Sequence, residues 1–281
     1  MKEKNLIIPV LAISLSFILN ACGGGGASQP VDSTVSLTLN SGSATFSALL
    51  LQPALSNTPN TTGIVLLHGR GGNPDSAVVR QLRKDLYDRG YTTLSIQEPV
   101  PAPYIEGDSI NKPPYSGYIT DANSLFSETY ARVRTAINEL EAKAMTRVII
   151  IGFSMGSRMA AAHVAKGTTV NELPIIGLIG IGMYAGPTDP DPLNTSLTLD
   201  EVSIPVLDIY GDLDTGAAST AADRRSAYEN SGIGSIYTQI SLPCDPILTA
   251  NDPNDCHKLV NLKGSSSSPL ELTVANWIRN L

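Results

Sequence analysis

Ser154 stands in Gly152-Phe153-Ser154-Met155-Gly156, between an apolar, β-branched run from Val148 to Ile151 and a helix-forming stretch from Met159 to Ala165. A serine at such a junction turns so sharply that side chains two positions before and after it would collide, so the spacing demands glycine there. This is the G-x-S-x-G pattern of a nucleophile elbow. Its hydroxyl is a weak nucleophile until a neighbouring imidazole takes the proton. The chain offers three imidazoles, His68, His163 and His257. His163 falls within the helix after Ser154 and is expected to point away from the elbow as a structural residue. His68 precedes the turn Gly69-Arg70-Gly71-Gly72 and is expected to order it by hydrogen bonding. His257 is the candidate base. Arg158, one turn past Ser154, is expected to be solvated or at the core edge; facing the site, it would favour an acidic substrate group.

The elements that must position these residues alternate along the chain. Val35–Leu39 and Ala44–Leu51 around Asn40-Ser-Gly-Ser43 predict an antiparallel hairpin. Buried strands are expected at 63–67, 91–96, 148–151, 174–181 and 204–210, with a further strand at 236–242. Helices are expected at about 75–89, where Val78, Val79, Leu82 and Leu86 share a face and Gly90 stops the run, at about 121–144 with Leu125, Val133, Ile137 and Leu140 inward, at about 220–230 and at 269–280. Residues 99–117, rich in proline, glycine and tyrosine, read as a long loop that could contribute to a lid. A loop is expected to carry Cys244, Cys256 and His257, followed by a Gly264-Ser-Ser-Ser-Ser268 spacer. Strands separated by helices imply an α/β domain over 35–281: a mainly parallel, doubly wound sheet covered on both faces, with the hairpin at its N-terminal end.

With Ser154, an aspartate and His257 in that order, residues 63–281 resemble the α/β-hydrolase superfamily. Leu67-His-Gly-Arg-Gly71 with Thr93-Leu-Ser-Ile-Gln97 also looks like an uncharacterised bacterial branch of it. The resemblance implies a triad acid just past a late strand, a place matched by Tyr210-Gly211-Asp212-Leu213-Asp214. The usual spacing from the glycine selects Asp214, with Asp212 the runner-up, and Asp208 is left unexplained inside an apolar strand. His68-Gly69-Arg70-Gly71 resembles the H-G-x-G loop of esterases and lipases, which implies oxyanion-hole N–H donors from Met155 and from Arg70 or its neighbour. The activity implied is that of a serine hydrolase cleaving an ester of a small molecule through an acyl-enzyme, without cofactor or metal. An amide or peptide hydrolase of the same fold, or an envelope binding module that has lost turnover, are the alternatives.

At the N-terminus, Lys2 and Lys4, the apolar stretch 6–19 and Leu19-Asn-Ala-Cys22 resemble a bacterial lipoprotein signal peptide. By that resemblance residues 1–21 are removed, Cys22 is acylated, and 22–34 form a Gly/Ser-rich linker to a membrane. Gly23 favours the outer membrane, facing the periplasm. The apolar stretch, interrupted by Pro9, Ser14 and Ser16, is short for a transmembrane span. In an oxidising compartment Cys244 and Cys256 are expected to pair. The net charge of −7, without a basic cluster in the sequence, argues against nucleic acid as a partner. No C-x-x-C, H-E-x-x-H, G-x-G-x-x-G or P-loop pattern points to a metal or nucleotide.

Overall fold

Alternation along the central strands sets the architecture. In the computed structural model, which describes residues 34–53, 60–108, 110–167, 172–232, 236–259 and 269–281, the chain forms β1 (Val35–Asn40), β2 (Thr45–Leu51), β3 (Thr62–Leu67), α1 (Ala77–Asp88), β4 (Thr92–Ile96), α2 (Tyr115–Thr120), α3 (Ala122–Ala142), β5 (Arg147–Phe153), α4 (Met155–Ala165), β6 (Ile175–Ile181), α5 (Thr195–Asp200), β7 (Val206–Gly211), α6 (Thr215–Ser219), α7 (Ala221–Asn230), β8 (Tyr237–Leu242), α8 (Pro246–Asn251), α9 (Pro253–His257) and α10 (Pro269–Ile278). The signal peptide, Cys22, nearly all of the linker and the 264–268 spacer lie outside the described residues.

The strands form one 8-stranded sheet in the order β1-β2-β4-β3-β5-β6-β7-β8. β1 and β2 pair antiparallel, β2 meets β4 antiparallel, and all pairings from β4 to β8 are parallel. Side chains of a strand point alternately to its two faces, so the apolar runs fill two separate cores. Val65, Leu67, Val148, Ile150 and Leu178 face α3 and α4. Ile64, Leu66, Ile149, Ile151 and Ile179 face α1 and α10. Strands buried on both faces need no polar alternation, which is why they read as continuous apolar stretches.

α1 buries Val78, Val79, Leu82 and Leu86, the face its periodicity predicts. It ends at Gly90, whose φ of 90° is costly for other residues. α3 likewise buries Leu125, Val133, Ile137 and Leu140. The 99–117 stretch is not loop throughout: α2 begins at Tyr115, inside it. The segment carrying both cysteines and His257 is also more ordered than a loop, since α8 and α9 lie within it.

Asp208, in the middle of β7, is fully buried against the equally buried Arg224 of α7. Two hydrogen bonds of 2.8 and 3.2 Å join guanidinium and carboxylate. Tyr237 Oη and Gln239 Nε2 on β8 donate to the same carboxylate at 2.7 and 2.8 Å. A buried charge persists only when paired and hydrogen-bonded, and this network meets both needs.

Candidate active site

The C-terminal ends of β3, β5, β6, β7 and β8 open onto one edge of the sheet, the edge where α/β folds place ligands. Ser154 follows β5 and N-caps α4 with φ 56° and ψ −117°. Such a positive φ in a non-glycine residue is a costly backbone state that the surroundings must enforce. A Cβ on Gly152 would collide with the Gly156 carbonyl and Ser157 Cα, and one on Gly156 with the carbonyl oxygens of His68 and Leu67. Both glycines are thus required by close backbone approach, as the spacing predicts.

Asp214 N-caps α6, its Oδ1 accepting the N–H groups of Gly216 and Ala217 at 3.2 Å each. Its Oδ2 lies 2.7 Å from His257 Nδ1. Burial pushes the carboxyl upward, but the His257 hydrogen bond and charge and the two backbone donors outweigh it and hold Asp214 below its ordinary value. The His257 ring packs against Phe153, 5.2 Å between centroids, and against Gly182 beyond β6. With Nδ1–H given to Asp214, the tautomer leaves the Nε2 lone pair free. Ser154 and His257 line the same cavities. Among the described hydrogen bonds none joins the serine hydroxyl to the imidazole.

Asp212, the alternative acid, accepts the Cys244 N–H through Oδ1 at 2.8 Å and is exposed. Cys244 and Cys256 form a disulfide directly before His257. Among the described residues, the group with metal-ligand character is Asp212 with these two cysteines, whose thiols the disulfide consumes.

His68 is buried, with Nε2 accepting the Glu98 N–H at 3.0 Å. Its Nδ1 therefore carries the proton and donates to the Gly69 carbonyl at 2.8 Å. Burial lowers its pKa to about 4, so it is a neutral brace for the glycine-rich turn. His163 is buried away from the elbow and likewise lowered to about 4, chiefly by burial. Met155, as the first residue of α4, has no carbonyl one turn back for its N–H. No backbone carbonyl among the described residues takes the Arg70 N–H.

Two cavities meet at Ser154, His257 and Arg70. One, of about 240 Å³, is walled by Tyr115, Met155, Arg158, Tyr184 and Ala217. Tyr115 and Tyr184 escape sequence reasoning; Pro113-Pro114 ahead of α2 was the available helix-start signal for the first. Arg158 is both buried and on the cavity wall. It donates to the Leu193 carbonyl at 2.9 Å and to Asp189 at 2.6 Å, and Tyr115 Oη donates to the same Asp189 oxygen at 2.5 Å. Its charge is thereby neutralised within the protein. The second cavity, of about 380 Å³, runs along the glycine-rich turn and past Asn73, Ser76, Lys112 and Lys258.

A mainly parallel sheet of this order with a strained serine after β5 and a histidine–aspartate pair beyond the later strands is the α/β-hydrolase fold. Known structures share it. A dienelactone hydrolase from Anabaena variabilis aligns with a TM-score of 0.57 at 18% identity, covering 88% of this chain and 97% of that one. The enzyme Est1E from Butyrivibrio proteoclasticus, seen with bound ferulic acid, gives 0.59 at 12% identity over 87% and 98%. XC6422 from Xanthomonas campestris, described as an α/β serine hydrolase without lid, gives 0.53 at 18% over 76% and 85%. No curated protein matches the sequence significantly. Residues 29–260 match the family described as "Protein of unknown function (DUF3530)", and the chain belongs to that family.

Proposed function

We propose that the protein is a serine hydrolase that cleaves a carboxylic ester through an acyl-enzyme. The observation that carries this reading is the 2.7 Å contact between Asp214 Oδ2 and His257 Nδ1, in a cavity shared with a serine held at positive φ. In the reaction, His257 Nε2 takes the Ser154 proton as Oγ attacks the ester carbonyl. Asp214 stabilises the imidazolium, and the proton passes to the departing alkoxide. Water then repeats the sequence on the acyl-enzyme. The N–H groups of Met155 and Arg70 receive the charge that develops on the carbonyl oxygen; that neither donates to a backbone carbonyl among the described residues supports this role. His68 supports the Arg70 donor by fixing the turn. The N-terminal resemblance adds that Cys22 tethers the enzyme to the envelope by a lipid.

One observation favours a second reading, a binding module without turnover: the missing Ser154–His257 hydrogen bond. Such bonds commonly tighten only with substrate bound, so the hydrolase reading is preferred. Labelling with a fluorophosphonate decides between them. A stoichiometric adduct on Ser154, absent in Ser154→Ala and strongly reduced in His257→Ala, is expected. A folded protein that takes up no probe of any chain length is a binding module. Comparing p-nitrophenyl esters with peptide anilides separates ester from amide preference.

A further inference from the structure

Arg158 was the sequence's candidate for contacting an acidic substrate, and Asp189 already neutralises it. Positive charge without a carboxylate partner gathers along the second cavity. Most basic side chains of the described residues have a carboxylate partner, among them Arg83, Arg89, Arg132, Arg134, Arg158 and Arg224. Arg70, Lys112 and Lys258 have none among the described residues, and all three line the 380 Å³ cavity. No carboxylate is among the described residues that line it. Lys112 lies close over the glycine-rich turn: a Cβ on Gly71 would stand 2.6 Å from its Cγ. Lys258 directly follows His257. In a chain of net charge −7, three uncompensated cations on one concave wall are not explained by folding, since each repels the others. Arg70 and Lys112 are exposed on this open concave wall, and with Lys258 they set a positive potential beside the reacting serine.

We propose that this cavity is an anion subsite and that the natural ester carries an acidic group, a carboxylate, sulfate or phosphate, that Lys112, Lys258 and the Arg70 side chain receive. The aromatic and apolar wall of Tyr115, Tyr184, Met155 and Ala217 takes the uncharged part. This rests on the serine-hydrolase reading. It also assigns Arg70 two functions, a backbone donor to the oxyanion and a side chain toward the anion.

The test uses two matched ester pairs: p-nitrophenyl valerate against mono-p-nitrophenyl glutarate, with the charge on the acyl side, and phenyl acetate against 4-acetoxybenzenesulfonate, with the charge on the leaving group. Rates are corrected for each ester's alkaline hydrolysis. In at least one pair the anionic member should be preferred in kcat/KM by about tenfold. That preference should shrink as salt rises from about 10 mM to about 0.5 M, where the screening length falls to a few ångströms. The Lys112→Ala/Lys258→Ala variant should lose it while turning over the neutral esters as before. Equal or lower rates for both anionic esters, or a preference that survives the double variant, overturn the subsite. If no ester is turned over, the hydrolase reading fails instead. Calorimetric titration of glutarate and benzenesulfonate then reads the subsite alone: salt-sensitive binding lost in the double variant supports it, and no binding overturns it.

Discussion

Asp212 and Asp214 are two residues apart on the same turn, yet their surroundings give them different work. Asp214 is buried, accepts two backbone N–H groups and faces His257 Nδ1. Asp212 is exposed and braces the Cys244 amide. An asparagine at 214 would keep the shape but offer the imidazole a neutral acceptor or, flipped, a donor. Asp214→Asn should therefore cut kcat for an activated ester by about 10³ to 10⁴, with KM little changed. Asp212→Asn should leave kcat within a factor of a few. A loss at 212 and none at 214 would move the acid to the runner-up. The elbow, Ser154 and His257 were legible in the sequence because the demand for glycine around the serine is local. Choosing between the two aspartates required a family spacing, because the deciding contact spans from Asp214 to His257.

At the scale of elements, what was legible follows from length. α1 and α3 announce themselves through periodic apolar faces, whereas α5, α6, α8 and α9 are 5 or 6 residues long, too short for a period to repeat. Their signals are caps: Asn194, Asp214 and Asp245 each accept backbone N–H groups at a helix start, and Pro246 follows the last of these at a favoured first position. The partners of Asp208 were not legible at all, since they lie 16 to 31 residues away on α7 and β8. Arg224 also donates to the Ala217 carbonyl at 2.8 Å, the residue whose N–H holds Asp214. The disulfide acts similarly on the other partner. It closes a short loop whose covalent constraint is worth about 3 kcal/mol, and it fixes Cys256, the neighbour of His257, beside β7. Gly211 makes room for it, because a Cβ there would meet both sulfurs. Cys244→Ser/Cys256→Ser should thus lower the unfolding temperature and, in protein still folded at 20 °C, reduce kcat several-fold, by widening the positions His257 visits. Unchanged turnover in a folded, destabilised variant would confine the disulfide to stability.

For the molecule as a whole, buried titratable groups set how stability varies with pH. His68 and His163, lowered to about 4 mainly by burial, stay neutral in the fold while the unfolded chain protonates them below its ordinary 6.5. The unfolded state then binds more protons, so stability falls as pH drops through that window. Glu98 works in the opposite sense. Burial, only partly offset by Arg132 and Thr129, raises it from 4.5 to about 8, and its Oε1 has no hydrogen-bond partner among the described residues. Folded Glu98 keeps a proton that the unfolded chain gives up, so this residue lowers stability as pH rises toward 8. Between pH 4.5 and 6.5 the two histidines oppose Glu98 and Glu271, whose carboxyl is also raised by burial; above 6.5 only the raised carboxyls act. Stability should peak near pH 6.5 and decline by about 2 kcal/mol by pH 8, with a steeper loss below pH 5 and a further one from Asp214 below its ordinary 3.8. Urea unfolding at pH 4.5, 6.5 and 8 measures the curve. Glu98→Gln, which cannot ionise, should abolish the alkaline decline and steepen the loss between pH 6.5 and 4.5, where the carboxyl no longer opposes the two histidines. A decline that persists in that variant would place its source in another buried group.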